Sequence, residues 1–170
     1  MKVIFLVLCC LLLIEERAAE CPEGFTLINS NCYWFRKDPE DKANWFKADM
    51  LCNRRGARLL SFDSLEEMNT LSDYIIAEGC NTNSIECTYW ASANCLAQQD
   101  KFFWQSTHKR VKKQFFNKGE PNNLSGDEYC TDFRHDQESK YGLGDVPCTW
   151  RTPNFICKAP LKSAECVGMV

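Results

Sequence analysis

The chain has 170 residues, a net charge of −3 and 45% hydrophobic residues. That length suits one domain rather than two ordinary ones. A mildly acidic balance excludes a general nucleic-acid binder, and the apolar and aromatic content excludes disorder.

Met1-Lys2 precedes twelve apolar residues, Val3 to Ile14, and then Glu15-Glu16-Arg17-Ala18-Ala19-Glu20. A basic start, a short apolar run and small residues make a secretory signal, expected over residues 1–19 with cleavage near Ala19. The run is too short to span a bilayer, which takes about 20 residues. Of the 12 cysteines, Cys9 and Cys10 fall in this segment. The rest, at 21, 32, 52, 80, 87, 95, 130, 148, 157 and 166, are even in number, and in an extracellular chain they read as disulfides. Zinc would need C-x-x-C or closely spaced histidines, and this part of the chain has neither.

In chain order, Phe25–Ile28 and Cys32–Phe35 are strand formers broken by Asn29-Ser30-Asn31, a hairpin signal. Asp38-Pro39 predicts the start of a helix, with Asp38 as N-cap and Pro39 in the first position. Ala43, Phe46 and Met50 give its apolar repeat, with Trp45 and Cys52 beside it, and Gly56 ends it near Arg54-Arg55. Ser64 and Glu67 make a capping box for a second helix, whose stripe is Leu65, Met68, Leu71, Ile75 and Ile76 and whose stop is Gly79. Tyr89–Ala93, Phe102–Trp104, Tyr129–Phe133 and Asn154–Lys158 read as strands of a central sheet. Between His108 and Ser125 periodicity fails, and so long a loop in a compact domain is usually functional or disordered. Residues 159–170 form a tail without periodicity.

The chemistry concentrates in Gly119-Glu120-Pro121-Asn122-Asn123, Asp127-Glu128-Tyr129-Cys130 and Gly144-Asp145-Val146-Pro147-Cys148. Glu120, Asn122, Glu128 and Asp145 offer the oxygens that a hard cation such as calcium takes, roughly six to eight in all. A bare acid cluster is more often a solvated loop, but the cysteine framework around this one argues for a built site. No nucleophile elbow, zinc-protease helix or phosphate loop is present, and His108 and His135 stand alone, so no enzyme is expected.

Taken together these segments resemble the C-type lectin domain family, over residues 20–158. Cys21-Pro-Glu-Gly-Phe and Cys32-Tyr-Trp-Phe look like its N-terminal hairpin, and Tyr89-Trp90-Ala91-Ser92 like its core strand. Glu120-Pro121-Asn122 looks like its sugar-site tripeptide, Glu128 falls two residues before Cys130, and Asp145-Val-Pro-Cys148 and Phe155-Ile-Cys157-Lys158 are similar to its closing segments. The resemblance implies an α+β fold: two helices on short antiparallel sheets, a long irregular loop and disulfide staples. It implies a calcium ion on Glu120, Asn122, Glu128 and Asp145, with the same four side chains holding a mannose-type sugar and the Glu120–Pro121 bond cis. It implies a secreted, calcium-dependent carbohydrate-binding protein of innate defence, whose partners are mannose-type or microbial surface glycans. The alternative is a module that has kept the fold and lost the sugar.

It also implies Cys21–Cys32, Cys52–Cys157 and Cys130–Cys148. Cys80, Cys87, Cys95 and Cys166 remain, with three connectivities. If residues 88–94 are extended, Cys87 and Cys95 lie about 26 Å apart at about 3.3 Å per residue, far beyond the about 7 Å that a disulfide tolerates. Cys87 therefore pairs with Cys80 or Cys166. Cys80–Cys87 is favoured, leaving Cys95 to join Cys166, or one of the two to link a pair of chains as a dimer.

One position departs from the family pattern: Gly144 stands where an asparagine ligand is expected. One metal oxygen and one sugar-facing N–H are then missing. A hydrogen bond to a charged group is worth about 1.5–3 kcal/mol, against about 4 kcal/mol in total for a millimolar site. An auxiliary calcium site is degraded too, with Asn123 and Tyr129 where acids are expected. Asn123-Leu124-Ser125 is an N-glycosylation sequon on the same loop. His108-Lys109-Arg110 with Lys112, Lys113 and Lys118 is a basic run beside it, more simply a solvated face than a contact for anionic glycans.

Overall fold

The computed structural model describes residues 20–38, 40–136, 140–150 and 154–162. The expected signal segment, Pro39 and Cys166 lie outside them. The strands are β1 (Thr26–Ile28), β2 (Asn31–Lys37), β3 (Arg58–Leu59), β4 (Tyr89–Asn94), β5 (Phe103–Trp104), β6 (Cys130–His135), β7 (Tyr141–Val146) and β8 (Asn154–Ala159). The helices are α1 (Trp45–Arg54) and α2 (Leu65–Ala77). The sheet runs β1-β2-β8-β4-β6-β7, with β3 against β8 and β5 against β4. Its pairings are antiparallel apart from β4 and β8, which meet in parallel at Trp90 and Phe155. No helix among the described residues is long and apolar enough to cross a membrane.

The hairpin β1–β2 turns through Asn29, whose φ of 54° a left-handed turn requires. Asp38 does not begin a helix. Its Oδ1 accepts from the amides of Glu40 and Asp41, closing a local turn. The N-cap is Asn44, whose side chain accepts from the Lys47 amide at 2.9 Å. With that start α1 buries Trp45, Ala48 and Cys52, while Phe46 and Met50 are about half exposed. The apolar repeat expected through Phe46 and Met50 is thus the wrong face. Two reciprocal bonds fix the helix to β4: Trp45 Nε1 donates to the Ala91 carbonyl at 2.8 Å, and Trp90 Nε1 to the Ala43 carbonyl at 2.9 Å.

Helix α2 starts as its capping box predicts. Ser64 Oγ accepts from the Glu67 amide at 3.1 Å, and Gly79 ends it at φ +93°. The Glu67 carboxylate reaches past Ser64 to the Asp63 amide and lies buried between Tyr33 Oη and Lys158 Nζ, each 2.6 Å from its Oε1. Met68, Leu71 and Ile75 face a core with Tyr33, Phe62, Phe133 and Leu143. A second cluster under α1 holds Leu59, Trp90, Val146 and Phe155. Ser64→Ala is expected to cost about 1 kcal/mol through the lost cap, read from the urea midpoint. An unchanged midpoint would mean that packing alone sets the helix start.

Cys21 bonds to Cys32, Cys52 to Cys157, Cys80 to Cys87 and Cys130 to Cys148. Cys95 is buried and has no bonded partner among the described residues. The suggested Cys95–Cys166 bridge falls on a residue outside them.

Candidate functional site

The segment from Asn117 to Tyr129 folds over the β6–β7 hairpin. Asn117 anchors it: its amide donates to the Leu143 carbonyl at 2.9 Å, and its side-chain nitrogen lies 3.3 Å from the Arg134 and Gly142 carbonyls. The Glu120–Pro121 bond is cis.

Two acids then hold the loop. Asp145 accepts from the Asn122 amide at 2.8 Å on Oδ1 and from the Asn123 amide at 2.7 Å on Oδ2. Glu128 accepts from the Leu124 amide at 2.7 Å and from Ser125 Oγ at 3.0 Å. Asn123, at φ 46°, accepts from the Glu128 amide in return. Charge-assisted bonds to these backbone donors let the two carboxylates define the shape of the loop.

Glu120, Asn122, Glu128 and Asp145 all line one open hollow of about 680 Å³. Sequence reasoning singled out these four. It misses two further residues lining the hollow, Asp132 and Arg134. They alternate on one face of β6, and in register Asp132 lies opposite Gly144 and Arg134 opposite Gly142. Arg134 donates through Nη1 to both Asp132 oxygens, at 2.7 and 2.9 Å, and through Nη2 to Glu120 Oε1 at 2.8 Å. The other Glu120 oxygen accepts from Asn122 Nδ2 at 2.9 Å.

Both β7 glycines are explained by these contacts. A Cβ on Gly144 would lie 2.2 Å from the Arg134 guanidinium, and one on Gly142 would lie 2.2 Å from Asn117 Oδ1. Each missing side chain is space taken by a polar group from a neighbouring element. The signal for it is a glycine at alternate positions of a strand facing an Asp-x-Arg, readable only once the register is known.

Burial pushes the Asp132 carboxyl up to about 6, and Arg134 limits the rise. Burial also raises Glu120, with the Asp145 carboxyl adding to it and Arg134 opposing.

As arranged, the four implied ligands do not fit a calcium ion. Among the described residues no three acids, cysteines or histidines are grouped as a metal centre. Glu120 spends one oxygen on Arg134 and the other on Asn122, whose own carbonyl accepts from the Leu124 amide at 2.7 Å. Gly144 supplies no side-chain oxygen.

The rim carries Trp150, 55% exposed, and the well-exposed Leu124. The basic run is solvent-facing at His108, Lys109, Arg110, Lys112, Lys113 and Lys118. Arg110, Lys112 and Lys113 line a separate hollow of about 580 Å³ that reaches Pro121.

The family model described as the lectin C-type domain matches residues 41–159. The chain is 29% identical over 154 residues to CD209 antigen-like protein 2 of Macaca mulatta, covering 89% of this chain and 54% of that protein. It therefore spans about half the length of that relative. It is 26% identical over 141 residues to C-type lectin 37Da of Drosophila melanogaster, covering 80% of this chain and 72% of that one. In structure it is similar to the C-type lectin domain of murine dendritic cell inhibitory receptor 2, solved with an N-glycan: TM-score 0.64, 25% identity, 83% of this chain and 99% of that one. With the hairpin, the two helices, the Glu-Pro-Asn loop and four disulfides among the described residues in place, the chain belongs to the C-type lectin domain family.

Proposed function

We propose that this protein is a secreted carbohydrate-binding lectin whose sugar site is the hollow beneath the Glu120–Asn122 loop. The single observation carrying the reading is that Glu120, Asn122, Glu128 and Asp145 all line that one space. An exposed indole at its rim and convergent amides and carboxylates are the chemistry that a sugar needs: an apolar face beside directed donors and acceptors. The order Glu120 then Asn122 supports a preference for mannose-type sugars. The apolar run Val3–Ile14 supports secretion, and recognition of microbial surface glycans in innate defence is the role that suits such a site. We place the lectin domain at residues 20–158.

Calcium dependence, with one ion on Glu120, Asn122, Glu128 and Asp145, is supported by the motif and opposed by the Glu120–Arg134 ion pair. A second reading, a protein-binding module that has lost sugar binding, draws its support from Gly144. A disulfide-linked dimer through Cys95 or Cys166 would accompany either, and a non-reducing gel reads it. A glycan array run with calcium and with chelator tests the function. Retention of mannose-type glycans is expected, and an array blank in both buffers would sink the lectin reading in favour of the protein-binding one.

A further inference from the structure

We propose that Arg134 is the resident cation of this hollow: seated over Gly144 and shared between Asp132 and Glu120, its guanidinium takes the place of a divalent ion, and the hollow receives its ligand without metal.

Among the described residues four carboxyl groups line the space, those of Glu120, Glu128, Asp132 and Asp145, and Arg134 is the one cationic side chain lining it. So many like charges around one hollow need a counter-charge. Arg134 supplies it from within the chain, with a planar fork that reaches two carboxylates at once.

Gly144 is the other half of the device. A side chain there would begin 2.2 Å from the guanidinium. An asparagine at 144 and the guanidinium as placed therefore exclude one another. The chain has removed an oxygen donor and, across the same strand pair, installed a fixed positive charge.

The loop points the same way independently. Its backbone amides at Asn122, Asn123 and Leu124 are already captured by Asp145 and Glu128. It is ordered by the chain's own hydrogen bonds, with no ion required to gather its oxygens.

The proposal deepens the glycan-site reading, but only its sugar arm rests on that reading. The metal arm uses the secreted chain with calcium alone, followed by calorimetry and by melting in calcium against chelator. For the natural chain no binding heat at millimolar calcium and no shift in melting temperature are expected. The double substitution Arg134→Ser with Gly144→Asn restores the donor and removes the charge. It is expected to gain calcium affinity by at least about tenfold and to melt higher in calcium than in chelator. Terbium luminescence sensitised by Trp90 or Trp150, both on the hollow, reads the same gain.

Calcium binding by the natural chain overturns the proposal, as does a folded double variant that gains none. If that variant does not fold, the titration of the natural chain still decides. In the sugar arm, glycan retained in chelator supports the proposal, and glycan retained only in calcium overturns it. An array blank in both buffers rejects the glycan site, and the calcium titration then judges Arg134 by itself.

Discussion

Replacing Arg134 by leucine is expected to cost about 3–5 kcal/mol at neutral pH, because it leaves buried carboxylates without their counter-ion. The pair is shielded: side-chain exposure is 21% for Arg134, 7% for Asp132 and 12% for Glu120. Water cannot replace the guanidinium cheaply at Asp132. The cost also has a pH signature. Burial raises Asp132 from its ordinary 3.8 to about 6 in the folded protein. An acid raised on folding adds stability that is full below about pH 3.8 and lost as pH rises through about 6. Without Arg134 its folded value rises further, so the loss extends to higher pH. Urea unfolding of the natural chain and the variant should therefore converge toward low pH, where Asp132 is protonated in both. A difference under about 1 kcal/mol, or one flat across pH, would show that the pair is solvated and that Arg134 is not held in the hollow.

The second large effect concerns the frame. Replacing Cys52 and Cys157 by alanine opens a loop with a sequence separation of 105. Cross-linking a loop near 100 residues stabilises by about 4.7 kcal/mol on the chain-entropy account. Both residues are fully buried and join α1 to β8, the strand against β2, β3 and β4. Removing Cys80 and Cys87, separated by 7, should cost about 2 kcal/mol on the same account. The ordering is the test. If the short bridge proves as costly as the long one, local strain relief or helix termination governs, rather than the entropy of the unfolded chain.

Much of the framework was legible because the signals are local. Ser64 and Glu67 fix the start of α2 within one turn, and Asn29-Ser30 closes a hairpin whose strands flank it. The Glu120–Pro121–Asn122 order, with Glu128 and Asp145 near late cysteines, was legible as four oxygen-bearing residues, and these four line one hollow. Other features compete locally and are settled by packing. Asp38 and Asn44 are equally good caps, and the choice falls to Asn44 because Trp45, Ala48 and Cys52 must face the sheet, with the Trp45 amide bonded to the Cys148 carbonyl. Strand β7 carries no alternation, since all six of its residues are buried, and its two glycines weaken any strand signal.

The sequence by itself determined the two helices, most of the strands and the four oxygen-bearing residues that meet at one loop, because short-range periodicity, caps and cysteine-anchored spacing survive in one dimension. Only the tertiary structure decided what charge those oxygens face. Arg134 and Gly144 are ten residues apart, and nothing in that interval marks them as a pair. The register of β6 against β7 puts the glycine opposite Asp132, and the guanidinium occupies the space where a side chain would have stood.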